Sequence, residues 1–72
     1  MRSFIVEYHL RSRETVLERV YSDLPILDIM DQINKKILHN KIIQIEELFK
    51  DTRYIGIRTD SIDYFSINGG NE

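Results

Sequence analysis

The chain has 72 residues with ten Lys/Arg, twelve Asp/Glu and no cysteine, and its formal net charge is -2. A chain this short forms one domain, and the absence of cysteine excludes disulfides, thiolate catalysis and cysteine-bound zinc. The charge is too balanced for a general nucleic-acid binder or an acidic nucleic-acid mimic, and no stretch is apolar enough for a signal peptide or a membrane span, so we expect a cytoplasmic protein without membrane association.

The first predicted element is a strand over residues 3–11. Apolar residues alternate with other residues at the period of two that marks a strand with one buried face. One face carries Phe4, Val6, Tyr8 and Leu10, and the other carries Ile5, Glu7, His9 and Arg11. A polar loop over residues 12–14 leads to a second strand over residues 15–21, which Thr, Val and Tyr favour. Helical spacing also fits residues 15–21, so a helix stays the alternative there.

An amphipathic helix is predicted over residues 24–39. Ser22 and Asp23 are favourable N-cap residues, and Pro25 is tolerated in a first helical turn but not in a helix interior. The apolar residues recur at 4-3-4 spacing, as Ile26, Met30, Ile33 and Ile37. Asn40 can adopt the left-handed conformation that ends a helix.

Three further strands are predicted after the helix. They cover residues 41–49, 53–58 and 62–67, with a turn at 50–52 and a bend at 59–61. Residues 68–72 contain two of the three glycines and no apolar residue, so we expect a flexible tail. Residues 1–67 then form the single domain.

This order of elements predicts an α+β fold of two layers, ββαββ(β), in which one helix packs on one antiparallel sheet. The expected core residues are Phe4, Val6, Met30, Ile33 and Ile57. The sheet face away from the helix is left free. The residues predicted to contact a partner on that face are Ile5, His9, Arg11, Tyr54 and Arg58.

The sequence shows no motif for chemistry. It contains no nucleophile elbow, glycine-rich phosphate loop or metal-binding motif. His39 lies at the predicted helix end, where an imidazolium favours the helix dipole, and Asp28 and Asp31 are the acids expected near a helix start. We therefore expect a protein that is not an enzyme and that uses no cofactor or metal.

Protein binding is the function that a free sheet face favours. Ile5, Ile42 and Tyr54 cannot all lie under one helix, so apolar surface should remain for a protein partner or for a homodimer. The alternative is a platform for single-stranded nucleic acid, with bases stacked on tyrosines and phosphates bound by arginines. That platform would contain Tyr8, Arg11, Arg53, Tyr54 and Arg58. Glutamates predicted on the same surface would repel phosphates, which disfavours nucleic acid.

Four segments, FIVEYHLRS, ERVYSDLP, KIIQIEELF and YIGIRTDSIDYFSI, carry a resemblance. They are similar in pattern to short uncharacterised α+β proteins of phages and prophages of Gram-positive bacteria. The resemblance implies a modulator or inhibitor that binds one host protein. It assigns no site residues, and the net charge of -2 is less acidic than that of nucleic-acid decoys.

Overall fold

The computed structural model describes residues 1–48 and 53–71. Within them lie β1 (Arg2–Leu10), β2 (Thr15–Ser22), α1 (Ile26–His39), β3 (Ile42–Glu46), β4 (Tyr54–Arg58), a 3-10 turn (Thr59–Ser61) and β5 (Ile62–Asn71). The α+β class and the order of elements are confirmed, and residues 15–21 are extended. The turn predicted at 50–52 lies outside the described residues.

The strands form two antiparallel sheets, which corrects the expectation of a single sheet. β1 is the centre of a three-stranded sheet with β2 on one side and β5 on the other. β3 and β4 pair with each other in a separate two-stranded sheet. A strand has two edges, and β2 and β5 occupy both edges of β1. β4 therefore cannot pair with β1, although residues of both strands were predicted to lie on one sheet face.

β5 is longer than predicted, because residues 68–71 continue the strand where a tail was expected. Its pairing with β1 runs from Leu10 opposite Ile62 to Ser3 opposite Asn71. Gly69 adopts a φ of 112°, and a Cβ placed on it would lie 2.7 Å from the Ser3 carbonyl oxygen. The glycine thus permits close strand contact at an irregularity in the pairing.

One core lies between the three-stranded sheet on one side and α1 with the two-stranded sheet on the other. Its buried members are Phe4, Val6, Tyr8, Val16, Ile29, Ile33, Ile43, Ile45, Ile57 and Ile62. Four of the five predicted core residues are confirmed, and Met30 is the exception. Met30 is 39% exposed, whereas Ile29 is 1% exposed.

The helix faces the core with a different stripe from the one predicted. Ile29 and Ile33 are its buried residues, while Ile26 and Met30 lie at the margin. Apolar residues cover nearly half of the circumference, so helical spacing alone does not identify the centre of the buried face. The position of α1 between β5 and β3 decides it.

Both helix ends also differ from the prediction. The helix begins at Ile26 after Pro25 and has no side-chain cap, while Ser22 Oγ accepts a 3.1 Å hydrogen bond from the backbone amide of Leu24, before the helix begins. Asn40 is extended, with φ -129° and ψ 146°, and is not left-handed. Its side-chain Nδ2 instead donates to the Lys36 carbonyl at 2.8 Å, which satisfies one of the free carbonyls of the last turn.

Candidate protein-binding surface

The solvent side of the three-stranded sheet, called the reverse face, consists of the residues that alternate with the core residues. The register of β1 with β2 and β5 brings together Ile5, Glu7, His9, Leu17, Arg19, Tyr21, Tyr64, Ser66 and Asn68. The helix and the second sheet pack against the opposite side. Within residues 1–48 and 53–71, the core therefore does not extend onto the reverse face.

An aromatic stack lies at one end of the reverse face. The rings of His9 and Tyr64 are nearly parallel, with centroids 4.3 Å apart and an angle of 13° between their planes. Thr15 Oγ1 lies 3.4 Å from His9 Nδ1 on the other side of β1. Tyr64 is still 56% exposed. The stack therefore presents aromatic surface whose side chains are already positioned, which lowers the entropy cost of binding.

A carboxylate held by hydrogen bonds lies at the centre of the reverse face. Glu7 Oε2 accepts one bond from Ser66 Oγ at 3.1 Å and one from Asn68 Nδ2 at 2.9 Å. Both donors come from β5. These bonds tie the two strands together on the solvent side and fix the position of a negative charge.

An aliphatic and basic region lies beside this carboxylate. Ile5 is half-buried between its register neighbours Arg19 on β2 and Asn68 on β5. Tyr21 is exposed at the end of β2. Tyrosine and arginine over a partly apolar base are the residue types enriched at the centres of protein interfaces.

The outer side of the two-stranded sheet, called the hairpin face, is a separate exposed surface. It consists of Ile42, Gln44, Glu46, Tyr54, Gly56 and Arg58. Arg58 pairs with Asp60 at 3.3 Å, and the Tyr54 hydroxyl lies 3.4 Å from Glu46 Oε2. Internal pairs thus engage its two largest polar side chains.

The structure divides the predicted contact residues between surfaces. Ile5 and His9 share the reverse face, whereas Tyr54 and Arg58 share the hairpin face. Arg11 is exposed in the turn after β1, where its backbone amide donates to the Ser61 carbonyl at 2.8 Å. The predicted surface that joined all five does not form, because β4 is not in the same sheet as β1.

The predicted nucleic-acid platform does not form either. Tyr8 is fully buried, and its hydroxyl donates to Glu18 Oε1 at 2.8 Å. Burial raises the pKa of Tyr8 far above its ordinary value, and the negative charge of Glu18 and the hydrogen bond raise the pKa further. Tyr8 is therefore a neutral donor inside the protein and cannot stack on a base.

The sequence prediction missed three prominent residues of the reverse face. They are Arg19 and Tyr21 on β2 and Tyr64 on β5. The alternation within each strand was visible in the sequence. Arg19 and Tyr21 lie on the opposite side of β2 from Val16 and Val20, and Tyr64 lies on the opposite side of β5 from its neighbour Phe65. What alternation lacks is the identity of the neighbouring strand, and without it these residues could not be assigned to one surface.

Metal-ligating side chains are scattered over the described part of the chain. Within it, no group of three or more His, Asp or Glu side chains is arranged to hold a metal ion. A depression of about 380 Å³ between the sheets is lined by both acidic and basic side chains, including Glu47 and Arg53, whose charged groups lie 3.9 Å apart. These charges largely compensate each other, so the depression favours neither an anion nor a cation.

No protein-family model, curated protein or solved structure matches this chain. The similarity to phage and prophage proteins therefore stays a prediction. Among residues 1–48 and 53–71, no helix combines the length and the apolar character that crossing a bilayer requires.

Proposed function

We propose that this protein is a small non-enzymatic module that binds another protein through the reverse face. The observation that carries the proposal is the exposed His9–Tyr64 stack on a sheet face that the core leaves uncovered. Aromatic side chains held by their neighbours give large contact area at low entropy cost. The surrounding polar residues suit the rim of an interface.

The partner surface should match the chemistry of the reverse face. An apolar or aromatic group would pack on Tyr64 and Ile5, and a carboxylate would pair with Arg19. Two hydrogen bonds hold the Glu7 carboxylate in place. Its negative charge repels acidic groups of the partner from the centre of the face, which helps to fix the orientation of the partner. This arrangement favours a partner with an apolar patch and an acid at its margin.

The resemblance extends the proposal to a biological role. We propose a cytoplasmic modulator or inhibitor, encoded by a phage or prophage, that acts on one host protein. We also propose that the protein self-associates. Exposed apolar side chains on α1 lie outside the reverse face, and a second copy would cover them.

Single-stranded nucleic acid is the second candidate. Tyr21, Tyr64 and Arg19 on the reverse face favour it, since exposed tyrosines can stack on bases and arginine can bind phosphate. The carboxylate of Glu7 between them opposes it, as does the net charge of -2. The balance favours a protein partner.

The test is retrieval of a partner by a tagged copy from nuclease-treated lysate of the host. We expect one stoichiometric protein with the native chain, and loss of that protein with Tyr64→Ala and with Arg19→Glu. Tyr54→Ala is the matched control, because it removes an exposed tyrosine from the hairpin face. Circular dichroism verifies folding of each variant. Loss with Tyr54→Ala and retention with Tyr64→Ala would refute the reverse face as the site.

A further inference from the structure

A second surface lies along the outer edge of β5. The strand has ten residues and is one of the two edge strands of the three-stranded sheet. Among the described residues, no backbone hydrogen bond reaches that outer edge from another element. A long open edge presents unpaired amides and carbonyls that can accept another strand.

Apolar side chains of α1 lie next to this edge. A groove of about 330 Å³ between α1 and β5 is lined by Met30, Asn34, Ile37, Ile62, Asp63, Tyr64 and Phe65. Leu27 and Leu38 are 73% and 76% exposed. Leu27 and Leu38 lie on the same side of the helix. They are about three full turns apart, and at about 100° per residue their directions differ by only about 20°. The groove thus joins the open strand edge to α1, and Leu27 and Leu38 extend the apolar surface onto the adjacent, more exposed side of the helix.

We propose that a second copy of this chain binds this surface around a two-fold axis. β5 pairs antiparallel with β5 of the copy, and α1 packs against α1 of the copy over the joined sheet. The result is one six-stranded sheet. This inference rests on the proposed self-association but not on recognition of another protein.

The charges of α1 favour a second copy. Asp28 and Asp31 lie in its first half, and Lys35 and Lys36 lie in its second half. Asp31 and Lys35 pair at 3.1 Å within each helix, and an antiparallel copy places each acid near the level of this lysine of the other helix. With the axis near Asn34, Met30 of one copy approaches Leu38 of the other. The same surface is thus complementary to itself, as a two-fold interface requires.

The charges of β5 also permit pairing with itself. Asp63 is the charged residue of this strand and lies near its beginning. When two copies pair antiparallel about the middle of the strand, each Asp63 faces the glycine-containing end of the other. Like charges therefore do not oppose each other across the new pair.

The proposed dimer has a consequence for recognition. A two-fold axis perpendicular to the joined sheet places both reverse faces on the same side. Two copies of the His9–Tyr64 stack then belong to one extended surface. A partner with two sites would bind more tightly than one site allows, because its second contact is intramolecular.

Sedimentation velocity over a concentration series tests the inference. We expect a monomer–dimer equilibrium whose dissociation constant rises at least tenfold in Leu38→Lys. A lysine in the last helical turn suits the helix dipole, so the monomer should stay folded. Ile42→Lys is the matched control, because it places the same charge on an exposed isoleucine of the hairpin face, and it should leave the equilibrium unchanged. A monomer at every concentration, or a dimer lost in Ile42→Lys and kept in Leu38→Lys, would overturn the inference.

Cross-linking tests the geometry in a chain that has no cysteine of its own. Directly opposed residues of paired strands are about 5 Å apart at their Cβ atoms, which is close to disulfide range. We expect oxidation to link two copies when a single cysteine replaces one of three residues of β5, namely Tyr64, Ser66 or Asn68. Arg19→Cys on β2, at the opposite edge of the sheet, should not link them. Linkage through Arg19→Cys alone would contradict the β5 interface.

The two proposals fail in different ways. A chain that dimerises but captures no partner would refute the proposed recognition and retain this interface. A monomer that captures a partner through Tyr64 would refute the interface and retain the recognition. A monomer that instead binds an extended peptide in the α1–β5 groove would show that the edge accepts a different strand, and would also overturn the dimer.

Discussion

The Tyr8 hydroxyl donates a 2.8 Å hydrogen bond to Glu18 Oε1 on the core side of the three-stranded sheet. Tyr8 is completely buried, and Glu18 is half-buried. The pair allows a carboxylate to lie at the margin of an apolar core, since the phenol supplies a donor where water is partly excluded. It also links β1 directly to β2.

Replacement of Tyr8 by Phe should destabilise the protein. The change keeps the ring but leaves the Glu18 carboxylate without this donor, and an unsatisfied acceptor of this kind costs about 1–3 kcal/mol. Urea denaturation at neutral pH would measure the free energy of unfolding. The double variant Tyr8→Phe with Glu18→Gln should recover part of the loss, because the neutral amide costs less to desolvate. A single variant as stable as the native chain would contradict the assigned role.

Stability should also fall at alkaline pH because of Tyr8. Its pKa is raised in the folded state, so the folded chain holds this proton more tightly than the unfolded chain does. The contribution of Tyr8 to the free energy of unfolding is complete below the pKa of about 10 that tyrosine has in the unfolded chain. It declines as pH rises above that value, by up to about 1.4 kcal/mol per pH unit. Urea denaturation between pH 9 and pH 11 (roughly one unit on either side of that pKa) should show the decline. The Tyr8→Phe variant should lose less stability over this pH range than the native chain. If both lose stability at the same rate with pH, Tyr8 is not the cause.

Two glycines should respond differently to alanine. At Gly69, with φ 112°, a Cβ would lie 2.7 Å from the Ser3 carbonyl oxygen and 3.2 Å from Phe4 Cα, so we expect a loss of about 1–3 kcal/mol. At Gly56 a Cβ meets only Ile42 Cγ2 at 3.3 Å. That side chain is exposed and can move, so Gly56→Ala should change stability by less than about 1 kcal/mol. Equal effects in thermal or urea unfolding would mean that residues 68–71 do not pair as β5.

The orientation of α1 can be tested with two neighbouring residues. Ile29→Ala should cost about 2–4 kcal/mol because it opens a cavity in the core, while Met30→Ala should cost about 1 kcal/mol because the side chain is partly exposed. Chemical denaturation of both variants measures the difference. A larger loss of stability in Met30→Ala than in Ile29→Ala would mean that the helix buries the Met30 side, as the spacing predicted.

Single-stranded oligonucleotides should bind weakly or not at all. The carboxylate of Glu7 lies among the exposed aromatic side chains and repels phosphate. Fluorescence anisotropy with labelled DNA and RNA at low salt would measure binding, and Glu7→Gln should strengthen any that is present. Tight binding by the native chain that weakens with salt and is lost in Tyr64→Ala would replace the proposed protein partner by nucleic acid.

The prediction of the fold succeeded where the signal is local. Alternation in residues 3–11 identifies both faces of β1, and Pro25 places the boundary between β2 and α1. It was less accurate where the surroundings decide the outcome. Met30 and Ile29 are adjacent and both apolar, and only the position of α1 against β5 and β3 determines which one is buried. The glycines near the end of the chain suggested a tail, but a close contact with Ser3 makes use of Gly69.

The sequence by itself determined the α+β class, the order of the elements apart from the choice between strand and helix at residues 15–21, and the side of each strand on which its residues lie, because these depend on residues a few positions apart. The tertiary structure alone decided that β5 lies beside β1 while β4 pairs with β3. For this reason Tyr64 joins His9 on the reverse face, and Tyr54 and Arg58 lie on a different surface. Strand pairing depends on contacts between residues distant in the chain, and alternation within one strand carries no information about its neighbours.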